Sequence, residues 1–162
     1  MQKHKNFIVK AMENGAKHQF EGYLTTYGNA DLDGDVMEKG AFREAVKNKP
    51  TVPMLFNHDR NKVLGKLELS ESESGVFVKG VLNLKDEKAA NIYELLKMGA
   101  LTSMSVGFNP KEYEPVDTNR LLGGWKIKKA DIFEGSVCCD SGKSKCCNNR
   151  REIANWRRRR VF

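Results

Sequence analysis

Cysteine is missing from the first 137 residues; all four, Cys138, Cys139, Cys146 and Cys147, lie within residues 138–162. A body without cysteine is no disulfide scaffold and suits a reducing compartment. The chain has no apolar run near the roughly 18 residues a membrane-spanning helix requires. No membrane partner is therefore expected. The N-terminal stretch MQKHKNFIVKAMENG is basic but lacks an apolar h-region, so it does not read as a secretory signal. A soluble, intracellular protein is the expectation. The body also lacks net charge. Of the formal +7, residues 138–162 carry most, with eight Lys/Arg against Asp140 and Glu152. The remaining 20 basic and 19 acidic groups nearly cancel, which argues against nucleic acid as a partner.

What is present suffices for one core: 162 residues, 40% of them hydrophobic. Residues 20–26 (FEGYLTT) read as a strand, followed by the turn-rich YGNADLDGD. Residues 40–48 (GAFREAVKN) read as a short helix with Phe42 and Val46 on one face, ended by Pro50. Residues 52–57 (VPMLFN) form a strand running into His58. Residues 61–69 (NKVLGKLEL) alternate, which points Val63, Leu67 and Leu69 inward. A polar turn at 70–75 precedes a strand at 76–84. Residues 86–98 are the clearest helix, capped by Asp86 and Gly99, with Ala89, Ile92, Leu95 and Leu96 as its buried stripe. Strands at 101–108 and 125–133 complete about six strands and two helices. The fold class is α+β, β-rich, expected as a barrel or sandwich wrapped by helices.

Few residues can carry chemistry. His4 and His18 fall near the N-terminus, whereas His58 ends an apolar strand, where a sheet would hold the imidazole at a cleft. Ser103 and Ser105 lie in LTSMSVGF and point to the same side of a strand, so periodicity does not choose between them. A serine needs a base to take its proton. Gly107 offers room for a substrate backbone. Glu134 ends KKADIFE and is placed to hold an imidazole's second nitrogen, with Asp131 as its local competitor. Each block alone also fits an ordinary strand or turn. DLDGD, residues 31–35, fails as a calcium loop: Gly34 falls at position 4 and Phe42 at position 12. It reads as a turn held by Asp side chains. The adjacent cysteine pairs do not suit tetrahedral zinc. No metal or cofactor is expected.

The blocks gain meaning from their order. GYLTTYGNADLDGDVMEKGAF, MLFNHD, LLKMGALTSMSVGF and ADIFEGSV together resemble the phage prohead protease family of the HK97 type. That pattern has D-x-x-G-D and G-A-F, a His after an apolar strand, S-[IV]-G-F, and a Glu before a hydrophobic strand. The resemblance covers roughly residues 20–137. It implies a fold similar to the herpesvirus capsid maturation protease, assemblin: a β-barrel core surrounded by helices. It implies a serine endopeptidase that cuts the scaffolding region of the major capsid protein, and itself, inside the prohead in the bacterial cytoplasm. Self-association within the prohead is part of that expectation. The family's histidine maps onto His58, its serine onto Ser105 rather than Ser103, and its acid onto Glu134.

The expected layout is an N-terminal arm over 1–19, a protease domain over 20–137 and a basic Cys/Arg-rich tail over 138–162. The tail departs from the family, which continues after this point with an apolar strand and a P-A-N-P-like segment. Reading codons for VCCDSGKSKCCN one base later permits a string like that continuation, so residues from about Cys138 are expected to come from a frameshift. A chain so altered would lack its last native strand, leave a sheet edge unpaired and weaken the Glu134 position. Two other readings stand beside the protease: an inactive scaffold-binding protein of the same fold, and a nucleic-acid binder using the RRRR run. The near-neutral body argues against the latter.

Overall fold

Residues 10–11, 19–31, 34–119 and 123–139 are described by a computed structural model. Its strands are β1 (Lys10–Ala11), β2 (Phe20–Thr26), β3 (Val36–Met37), β4 (Thr51–Phe56), β5 (Asp59–Ser72), β6 (Gly75–Leu82), β7 (Ser103–Pro115) and β8 (Trp125–Cys138). Two helices, α1 (Arg43–Asn48) and α2 (Glu87–Lys97), complete the described elements. The strands form one sheet in the order β1-β2-β6-β5-β4-β8-β3, with β7 pairing β8 on its other side. The sheet curls into a half-barrel that brings β2 and β7 towards each other.

Period-two patterning drives the curl. Phe20 and Leu24 of β2 and Val76, Val78 and Leu82 of β6 all turn inward and are buried. Met54, Leu64, Leu67 and Val137 join them in one continuous core. α1 packs near β5 and β8, and α2 near β1, β5 and β6. The architecture is thus β-rich α+β, with two helices against the sheet among the described residues.

Several boundaries and faces differ from the sequence-based reading. α1 starts at Arg43 because residues 40–42 form a turn, in which Arg43 N–H donates to the Gly40 carbonyl at 3.1 Å. Phe42 and Val46 are both buried, as their spacing predicts. On β5, Val63 is 56% exposed and Leu64 is fully buried instead. The ladder to β4 pairs Met54 with Gly65 and Leu55 with Val63, skipping Leu64. That bulge reverses the alternation, whereas Leu67 and Leu69 beyond it point inward as expected. On α2, Leu95 is 37% exposed and Tyr93 is buried. The inward stripe is Ala89, Ile92, Tyr93, Leu96, an i, i+3, i+4, i+7 set that leaves Leu95 at its margin. Asp86 does cap α2, accepting from Ala89 N–H at 2.9 Å. Gly99 follows at φ +75°, a left-handed position that glycine takes without steric cost.

β7 and β8 run to 13 and 14 residues, well past the expected 101–108 and 125–133. The added part of β7, residues 109–115, is polar and paired by charge with the expected part of β8, as in Lys128–Glu114 and Lys111–Asp131, both at 2.7 Å, whereas β8 gains the buried residues 134–138. The DLDGD turn is held as read: the Asp31 carboxylate accepts from Asp35 N–H at 2.9 Å, and Asp35 accepts from Trp125 N–H at 2.8 Å.

Candidate active site

Three strand segments converge at one edge of the curled sheet. The β4–β5 hairpin closes with Phe56 opposite Asp59, leaving a two-residue turn, Asn57-His58. Both turn residues have positive φ, +49° and +59°. A two-residue turn of this kind needs positive φ at both positions, a region uncommon for any residue with a Cβ, though Asn and His enter it more often than most. The end of β8 holds the turn in place. Asn57 N–H donates to the Val137 carbonyl at 3.0 Å, and Cys139 N–H donates to the Asn57 side-chain oxygen at 3.2 Å. His58 N–H donates to Ser136 Oγ at 3.0 Å. Backbone strain thus sits under the candidate base and is balanced by its neighbours.

β7 and β8 supply the partners from a single face. Ser105 pairs with Ser136, Gly107 with Glu134 and Ser103 with Cys138. Residues directly opposite in a ladder share a face, so Ser103, Ser105, Glu134 and Ser136 lie on one face with Gly107 and Cys138, while Met104 and Val137 point into the core. His58 Nε2 lies 2.9 Å from Ser105 Oγ. His58 Nδ1 lies 2.5 Å from Glu134 Oε1. The second carboxylate oxygen, Oε2, accepts from Ser136 Oγ at 2.8 Å. The side chains of His58 and Glu134 are 7% and 4% exposed, which confines this chain to a low-dielectric setting.

The structure therefore brings His58, Ser105 and Glu134 together, although they lie far apart in the chain. Asp131 stands apart beyond a bulge at Phe133, paired with Lys111 and half exposed. Gly107 has a use that the sequence did not disclose. A Cβ there would collide with the Glu134 carboxylate, so its absence gives the acid its path to the imidazole. Ser136 is a further residue of the site that no motif names. Its signal is visible afterwards in EGSV, where it lies two residues after Glu134 and hence on the same face. β8 remains paired on both sides at 135–137, with β4 and with β7, so Glu134 sits in an ordered ladder rather than at a loosened edge. His4, His18 and the tail from residue 140 lie outside the described residues. Among the described residues no group of three or more His, Cys, Asp or Glu side chains is placed to hold a metal ion.

A hydroxyl, an imidazole and a buried carboxylate in line have the geometry for nucleophilic acyl transfer. Residues 5–140 match the family described as Caudovirus prohead serine protease. The "Prohead protease" of Enterobacteria phage HK97 is 35% identical over 135 residues, covering 80% of this chain. The chain spans 58% of that relative's length.

Proposed function

The chain belongs to the caudovirus prohead serine protease family, and from that premise we propose that it is a serine endopeptidase with Ser105 as nucleophile, His58 as general base and Glu134 as orienting acid. The observation that carries this reading is the unbroken run Glu134–His58–Ser105, at 2.5 and 2.9 Å.

Glu134 Oε1 accepts from Nδ1–H and fixes the tautomer whose Nε2 lone pair faces Ser105. Nε2 takes the hydroxyl proton as Oγ attacks the scissile carbonyl carbon. The imidazolium, stabilised by the carboxylate, then protonates the leaving amine, and water releases the acyl group by the same route. The proposed substrate is the scaffolding region of the major capsid protein, together with this chain itself, inside a prohead in the host cytoplasm. The herpesvirus-protease-like barrel with surrounding helices, the domain limits 20–137, and self-association in the prohead belong to the same proposal. So does a frameshifted origin of the tail from Cys138; the nucleotide sequence decides it, and a +1 frame without a family-like strand rejects it.

A serine-reactive diphenyl phosphonate tests the assignment. Labelling at Ser105 is expected, with loss of one phenol and formation of an Oγ–P bond. A folded protein left unlabelled would favour the inactive scaffold-binding reading. Co-expression with the cognate capsid protein, followed by mass measurement of that protein's N-terminus, tests the substrate.

A further inference from the structure

Ser136 takes no part in the steps above, yet it is fully buried and makes two hydrogen bonds to the groups that do. We infer that Ser136 is a positioning residue of the same site, its hydroxyl locking the Glu134 carboxylate to the backbone of the His58 turn. The inference rests on the proteolytic reading and deepens it.

The argument is one of hydrogen-bond capacity. A serine hydroxyl has one proton to donate and lone pairs to accept with. The Ser136 proton goes to Glu134 Oε2 at 2.8 Å. A lone pair takes the His58 backbone N–H at 3.0 Å. Glu134 Oε1 meets the His58 ring at 2.5 Å. The three residues thus close a ring of contacts that runs from the Ser136 hydroxyl through both carboxylate oxygens, the imidazole and the His58 main chain. Two freedoms vanish together. The carboxylate cannot spin about its terminal torsion, because both oxygens are engaged. The turn cannot relax from its positive φ without giving up its bond to Ser136. Ser105 gains directly, since the direction of Nε2 follows from the placement of Nδ1 and of the His58 backbone.

Ser136 is sealed from solvent, so it touches no substrate. Its loss should therefore slow the chemical step and leave ground-state binding alone. The test uses the full chain and the diphenyl phosphonate, whose inactivation separates into a limiting rate, kinact, and a binding constant, KI. In Ser136→Ala we expect kinact to fall about 10²-fold, as for misplacement of a reacting group, with KI unchanged. Ser136→Thr, which restores a hydroxyl, should recover most of the rate. The downfield proton resonance of the Nδ1–H bond between His58 and Glu134 should be sharp in the wild type and in Ser136→Thr, and broadened in Ser136→Ala.

An unchanged kinact in a folded Ser136→Ala protein overturns the inference. So does a rise in KI that accounts for the whole effect. Should the variants not fold, hydrogen exchange in the wild type decides: the His58 amide is expected to exchange slowly, and fast exchange overturns the proposal. A wild type that is never labelled at Ser105 is a separate outcome. It sinks the proteolytic reading, and this inference with it.

Discussion

Gly107 and Glu134 face each other across the β7–β8 ladder, and the Glu134 carboxylate occupies the space that any side chain at 107 would need. Access of the acid to His58 thus depends on a missing Cβ. On the proposed reading, Gly107→Ala is expected to displace the carboxylate and slow phosphonate inactivation by about 10²-fold, as for misplacement of a reacting group. Overpacking should also cost about 1–3 kcal/mol of stability. Phosphonate inactivation rates and denaturant unfolding measure the two effects separately.

Ser103 and Ser105 share a face of β7, but only Ser105 lies opposite Ser136 and within 2.9 Å of Nε2. On the proposed reading, Ser105→Ala should abolish scaffold cleavage, whereas Ser103→Ala should leave it intact. Mass analysis of the co-expressed capsid protein reads both. Normal processing by Ser105→Ala would end the assignment.

His58 holds a conformation that suits glycine better than histidine. His58→Gly and His58→Ala both remove the imidazole, so both should be inactive. They should differ in stability, and in an unusual direction. The glycine variant, with Asn followed by Gly in the turn, should be more stable than the alanine variant by about 1 kcal/mol. Equal unfolding midpoints would show that the turn is unstrained.

Tyr27 reports on the far end of β2. Burial, then the nearby Glu71 carboxylate, push its phenol up to about 12. The folded state therefore holds this proton more tightly than the unfolded chain does. The resulting stability is complete below the ordinary phenol value of 10.0 and drains away as pH rises towards about 12. Tyr27→Phe should flatten the decline of unfolding free energy over that window. A decline identical to wild type would place the alkaline sensitivity elsewhere.

The sequence carried much of this site and less of its frame. β2 matched its expected residues because FEGYLTT has strand composition and sits between polar segments. His58, Ser105 and Glu134 were legible through the order of their blocks, not through any one of them. Three features stayed hidden for physical reasons. The bulge at Leu64 is set by pairing with β4, which no local alternation encodes. The outer part of β7, residues 109–115, is held by charges across to β8 rather than by apolar periodicity. The tasks of Gly107 and Ser136 exist only once two distant strands lie side by side.

The turn that carries the imidazole is tied to residues 136, 137 and 139, some eighty positions downstream. Contacts of such long sequence separation close late in folding, because the intervening loop must first lose its entropy. A ribosome-bound chain that has emerged only through Ser105 carries the His58 turn and the Ser105 hydroxyl but not the residues that hold them in line. Alignment of the imidazole with the Ser105 hydroxyl therefore waits, by topology alone, until the polypeptide has delivered β8.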